Sequence, residues 1–172
     1  MFLQEPITAE EFLAFAEQHP DKRFDVIDGE IVEMSPKPLH GRIQTIFAAA
    51  LEAYTKNNPV GSVYTEVLHI LNGEKFIPDV SINQASDEDY FTTPPLVAVE
   101  IRSDTQSQES QRRKARKYIK YGTAMVILAL PKKNVEVYRQ GAKLLVLSVD
   151  DTIDGGDVLP GFKLAVREIF PK

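Results

Sequence analysis

Residues 96–102, Leu-Val-Ala-Val-Glu-Ile-Arg, constrain this chain more than any other segment. Positions 96–99 are all apolar. A strand turns alternate side chains to opposite faces, so this one needs hydrophobic cover on both. Glu100 continues the same strand. An ionised carboxylate in such surroundings costs several kcal/mol unless a cation or hydrogen-bond donors meet it. The longest apolar run, residues 124–131, reads as a second buried strand and falls far short of the roughly 20 residues that cross a bilayer. The fold must therefore cover a sheet on both faces and settle one acid inside it.

Periodicity and turn chemistry place the other elements. Thr8 with Glu11 makes a capping-box pattern that opens a short amphipathic helix bearing Phe12, Leu13 and Phe15, and Pro20 closes it. Residues 24–28 and 31–34 read as a hairpin turned at Asp28-Gly29. Residues 40–54 are helical, with Ile43, Ile46, Phe47, Ala50, Leu51 and Tyr54 on one face. Strands are expected at 63–71 and 76–82, joined as a hairpin by Asn72-Gly73. A helix over 106–121 ends at Gly122, a natural residue just past a helix terminus. Strands at 124–130, 135–139 and 143–149 complete the set. The acidic stretch 150–157 lacks the spacing and closing Glu of an EF-hand and reads as a solvated turn.

This order defines an α/β chain, α+β in character: a mixed β-sheet in the order helix-strand-strand-strand-helix-strand, with a β-hairpin added at each end. At 172 residues, without repeats or a linker, it reads as a single domain over 1–172. Within it, residues 1–38 form an N-terminal helix and hairpin elaboration, 39–130 the core, and 131–172 a C-terminal hairpin and tail. Cysteine is absent, which removes disulfides, thiolate zinc sites, iron–sulfur clusters and cysteine nucleophiles together. The N-terminus has no signal-peptide pattern, and the expectation is a cytoplasmic protein with no membrane partner. The 25 acidic against 20 basic residues, a net charge of −5, exclude indiscriminate coating of nucleic acid.

Asp79 and Glu100 stand out because each interrupts a strand, where such residues are scarce. The ordinary account of Glu100 is a strand-end ion pair with Arg102. Helical geometry adds a third residue: with Lys114 at the origin, Tyr118 falls at about 40° and Tyr121 at about −20°. Lys114 thus shares the side of the aromatic residues, while Arg112, Arg113, Arg116, Lys117 and Lys120 take the remaining arc. Its ammonium either reaches the sheet or snorkels to water, and geometry alone leaves both open. Residues 108–122 carry a net charge of +5. His40 reads by default as a capping or surface residue. If a metal is held, oxygen donors without thiols favour Mg²⁺ or Mn²⁺ over zinc.

Six segments, in order, resemble a known family: FDVIDGEIVEMSPKPLHGRI at 24–43, IPDVSI at 77–82, PPLVAVEIRS at 94–103, KARKYIKYG at 114–122, VEVYR at 135–139 and VLPGFKL at 158–164. They are similar to the putative restriction endonuclease family of the PD-(D/E)xK phosphodiesterase superfamily. The resemblance implies a restriction-endonuclease-like core and a Mg-dependent (or Mn²⁺-dependent) endonuclease acting on nucleic acid, most plausibly DNA. It makes Asp79 the PD aspartate and Glu100 the second carboxylate, with the Ile101 carbonyl completing the protein ligands of one Mg²⁺. Residue 102, the superfamily's usual lysine, is Arg102 here, and the family recruits its lysine from the next helix, at Lys114. Asp25 stands where the family typically has a Glu.

On that reading Asp25, Glu30, His40 and Arg102 are expected as a supporting shell. Arg112, Arg113, Arg116, Lys117 and Lys120 are expected to hold the nucleic-acid backbone through phosphate contacts. The alternative is an inactive or catalytically weak member of the fold that binds nucleic acid or a protein. A homodimer through the C-terminal hairpin is a geometric option.

Overall fold

The computed structural model describes residues 7–27, 29–104, 106–130 and 134–170. Its centre is a six-stranded sheet in the order β10-β9-β8-β7-β6-β3. Strand β7 (Val97–Ile101) runs parallel to β8 (Met125–Leu130), with Val99 opposite Ile127. Every residue of both strands is buried, Glu100 included, as the apolar runs 97–99 and 125–130 require of the rest. All other pairings in the sheet are antiparallel: β6 (Val80–Asn83) with β7 and with β3 (Ser62–Tyr64), β9 (Asn134–Arg139) with β8, and β10 (Leu145–Leu147) with β9.

Helix α2 (Pro38–Thr55) covers one face. Pro38 opens it at a position where a missing N–H costs nothing, and Ile43, Phe47 and Leu51 recur every four residues to pack on Val80, Ile82, Val97, Val99 and Ile101. Helix α3 (Gln108–Lys120) covers the other face. Ser107 caps it by accepting from the Ser110 amide at 3.0 Å, and Ala115 and Tyr118 pack on Ala98, Val126 and Leu128. Gly122 ends it at φ 111°, beside Pro94, which a Cβ would approach to 3.0 Å. The N-terminal helix α1 (Ala9–Glu17) has the full capping box: Thr8 accepts from the Glu11 amide at 3.1 Å, and its own amide donates to Glu11 at 2.7 Å. It packs with the hairpin of β1 (Arg23–Ile27) and β2 (Glu30–Met34) through Phe12, Val26 and Leu68. Gly29 of that turn has φ 86°, and Asp28, its expected partner, lies outside the described residues.

Three expectations need correction. Neither expected strand at 63–71 and 76–82 is continuous. Glu66 takes φ 57° and its amide donates to the Pro78 carbonyl, while Pro78 has no N–H to continue a ladder. The Asn72-Gly73 turn therefore joins only β4 (His69–Leu71) and β5 (Glu74–Phe76). The acidic stretch is not merely solvated: Thr152–Asp154 forms β11, pairs with β12 (Lys163–Ala165) and buries Ile153. Finally, a last helical turn, α4 (Val166–Ile169), had no sequence signal and joins the α2-side core.

The β4–β5 hairpin brings His69 into the interior. Its Nδ1 donates to the Val67 carbonyl at 2.9 Å and its Nε2 accepts from Asn83 at 3.0 Å, which fixes a neutral ring stacked on Phe91. Burial lowers its pKa from the ordinary 6.5. The unfolded chain then binds the proton more readily, so this residue's contribution is intact above pH 6.5 and is lost as pH falls toward the lowered value. Each pH unit of lowering is worth about 1.4 kcal/mol. Urea denaturation from pH 7 to 5 is expected to show the wild type losing stability relative to His69→Gln. A pH-independent difference between the two would contradict a buried neutral ring.

Candidate functional site

The carboxylates meet where β6 enters the sheet. The antiparallel register pairs Val80 with Val99, so the next pair outward is Asp79 with Glu100. Opposed residues on antiparallel strands share a face at roughly 5 Å. Asp79 is anchored on both sides: its Oδ2 accepts from the Ile101 amide at 2.6 Å, and its Oδ1 lies 3.2 Å from His40 Nε2.

Lys114 resolves the choice left open by helical geometry. It is buried, and its ammonium lies 3.0 Å from Glu100 Oε1 and 3.2 Å from Asp25 Oδ2. Tyr118, one turn further along α3, donates to Glu100 Oε1 at 2.8 Å. The expected Glu100–Arg102 pair is absent; Arg102 instead donates from Nε to the Gln106 carbonyl at 2.8 Å. Asp25 reaches the cluster from β1, and its Oδ1 also accepts from the Val26 amide at 2.8 Å. Glu30 is exposed beside the hairpin turn and is not gathered in.

His40 is not the cap of α2; Lys37 holds that position, and its side chain turns to Asp104 without capping the helix. Helix α2 starts two residues earlier than its apolar period indicates, so His40 falls in the first turn and points inward. Its hydrogen bond to Asp79 raises its pKa against the effect of burial, while Nδ1 is buried without a partner.

Charge decides the character of the cluster. Fully ionised, Asp25, Asp79 and Glu100 outnumber Lys114 and His40 by one charge, and the cluster relieves that excess by protonating Glu100. Burial pushes Glu100 up to about 8, and the charges of Asp79 and Asp25 add to the shift while Lys114 opposes it. Burial works against the charge on Lys114, but Asp25 and Glu100 outweigh it and hold the ammonium above its ordinary range. Burial and the Glu100 carboxylate likewise keep the Tyr118 phenol protonated. The cluster faces a cavity of about 370 Å³ whose lining includes Leu13, Phe24, Asp25, His40, Leu68 and Asp79. A further opening of about 140 Å³ reaches Lys114 between β1 and β5, beside Arg113 and Lys117.

The outer face of α3 is less free than its composition indicates. Arg112 holds the buried Glu136 with both Nε and an Nη, at 2.9 Å from Nε, and Tyr138 donates to the same carboxylate at 2.7 Å. Arg116 pairs with Glu109 at 2.6 Å and Lys117 with Glu74, while Lys120 lies 5.8 Å from the centre of the Tyr121 ring. The neutralising acids lie on β5, β9 and the first turn of α3, which a wheel of the basic residues alone does not reveal. Arg112→Ala is expected to cost on the order of 2 kcal/mol by leaving Glu136 short of a donor. Chemical denaturation checks this, and an unchanged midpoint would mean the pair adds nothing to the fold.

Among the described residues, no three His, Asp or Glu side chains are gathered into a metal cage. Asp79 and Glu100 bring carboxylate oxygens to this end of the sheet, close enough for the charge of one to act on the other. Oxygen donors of this kind suit a hard divalent cation and not a soft one.

Helices on both faces of a mixed sheet are an architecture this chain shares with a putative nuclease from Anabaena variabilis. The two structures superpose with a TM-score of 0.81 at 23% identity, over 96% of this chain and 98% of that one. The chain belongs to the Uma2 family, described as putative restriction endonucleases, whose pattern it matches over residues 9–167. No curated protein matches its sequence. Among the described residues, no helix is long and apolar enough to cross a membrane.

Proposed function

We propose that the chain is a divalent-metal-dependent endonuclease that hydrolyses phosphodiester bonds of DNA, with Mg²⁺ or Mn²⁺ as its metal. Asp79, Glu100 and the Ile101 carbonyl would hold the ion, which when bound polarises the scissile phosphate and acidifies a water. The observation that carries this reading is Lys114: a buried lysine fixed on Glu100, next to Asp79.

The chain's own residues divide the remaining work. The Ile101 amide and His40 fix both oxygens of Asp79, and Tyr118 and Lys114 fix Glu100, so the carboxylates are oriented before substrate arrives. Lys114 places permanent positive charge where negative charge grows on the phosphate. Asp25 holds the ammonium from its other side and is a positioning residue. Of the basic residues on α3, Arg113 and Lys117 line the opening beside Lys114, which favours them for backbone contact. The working protein on this reading is cytoplasmic and homodimeric.

Cleavage of supercoiled plasmid and of single strands, with Mg²⁺ or Mn²⁺, tests the reading in wild type, Asp79→Ala, Glu100→Ala and Lys114→Ala. Metal-dependent cutting by the wild type alone is expected. Equal activity in all four would show the assignment to be wrong. The extensive pairing of the basic face favours one second reading, a binding module that has kept the fold. Calorimetry with Mn²⁺ separates the two, since only the enzyme needs the ion at Asp79 and Glu100.

A further inference from the structure

We infer that the free edge of the main sheet is where two copies of this chain pair, β10 against β10 in antiparallel orientation. β10 and its flanks carry this pairing independently of the nuclease chemistry.

Large apolar side chains are exposed at five described positions, and four of them are Leu144, Leu145, Val146 and Val149, with Val146 62% exposed. Leu145 and Val146 lie on β10 and Leu144 and Val149 flank it; β10 is the last strand of the sheet, so among the described residues one side of its backbone faces no strand neighbour. Edge strands are ordinarily blunted by inward charges, Pro or a bulge. Between Lys143 and Asp150 this chain places Leu-Leu-Val-Leu-Ser-Val, with neither a charge nor a Pro. The opposite edge, β3, is different: Val63 and Tyr64 are half-buried and Ser62 is polar.

Charge at the two ends selects the occupant and its direction. Lys143 lies at one end, and Asp150 and Asp151 at the other. Asp150 meets Arg167 at 2.7 Å yet keeps 79% of its side chain exposed. Antiparallel pairing of two copies brings each Lys143 toward the other copy's acidic end, whereas parallel pairing sets like charges together. Such a contact is isologous: it uses both edges and closes at two copies. The two-fold axis reverses strand direction, so the Asp79–Glu100 clusters lie at opposite ends of the joined sheet. Each copy keeps a complete site, and separation leaves activity per chain unchanged.

Sedimentation velocity of the full chain, with hydrogen exchange at amides 144–149, tests this directly. The wild type is expected to dimerise with concentration-dependent protection of those amides. Val146→Lys should raise the dissociation constant at least roughly tenfold, with melting unaltered at concentrations where both proteins are monomeric, because its side chain is already exposed in the single chain. Lys143→Glu should weaken the dimer, and adding Asp150→Lys should restore it. A wild type that is monomeric up to roughly 100 µM, or a dimer indifferent to Val146→Lys, overturns the interface. A double reversal no better than the single one overturns the antiparallel orientation. Loss of plasmid cleavage in monomeric Val146→Lys would refute the separate sites, whereas an inactive wild type that still dimerises would refute only the nuclease reading.

Discussion

Glu100→Gln is expected to abolish metal-dependent cleavage of plasmid DNA, with a fall of at least about 10³-fold, and to leave the melting temperature at or above that of the wild type. The two outcomes arise from the same environment. Glu100 is buried, and Asp79 and Asp25 add to burial in driving up its proton affinity, so its ionised form opposes folding. An amide removes that repulsion and still offers Tyr118 an acceptor, while Lys114 keeps Asp25 as its partner. What the amide cannot supply is the anionic oxygen that a hard cation needs. Retained cleavage would remove Glu100 from the proposed metal site. A clear drop in melting temperature would show that its charge stabilises the fold, contrary to its surroundings.

Lys114→Met should act in the opposite sense on stability while also ending activity. The substitution keeps most of the stem that packs in the interior but leaves Asp25, Asp79 and Glu100 facing one another with only His40 opposed. Removing one partner from a buried charge pair costs about 3 kcal/mol or more. Adding Asp25→Asn should recover a good part of that loss, since it deletes a carboxylate orphaned by the first change, and should not recover cleavage. Denaturant midpoints of the two single variants and the double variant measure the coupling. A Lys114→Met protein as stable as the wild type would mean that the ammonium does not balance the cluster.

The parts of the fold legible in the sequence are those fixed by local rules. The apolar runs 96–99 and 124–130 announce strands buried on both faces, and the strands that form there, Val97–Ile101 and Met125–Leu130, lie wholly inside. Helix α3 follows from its period and its terminal Gly122. Where a long-range contact decided the outcome, local rules failed. The strand expected at 63–71 breaks because the Glu66 amide meets the Pro78 carbonyl, twelve residues away. Residue spacing placed Lys114 on the correct side of its helix but said nothing of depth, which depends on how closely α3 packs on β7. His40 and Asp79 meet across 39 positions of sequence, and no periodicity within either segment reveals that. Glu136 illustrates the same limit: nothing local marks a strand-borne acid on β9 as the partner of Arg112 on α3.

The cluster draws Asp25 from the first hairpin, His40 from α2, Asp79 and Glu100 from the central strands, and Lys114 and Tyr118 from α3. During synthesis these parts leave the ribosome in that order, with Lys114, the only buried lysine among the described residues, last but one. A nascent chain that stops short of residue 114 holds the three acids without their principal counter-charge, and the helix that covers them is missing as well. On the proposed nuclease reading, a chain cannot cut until Tyr118, about two thirds of the way along its 172 residues, has been made.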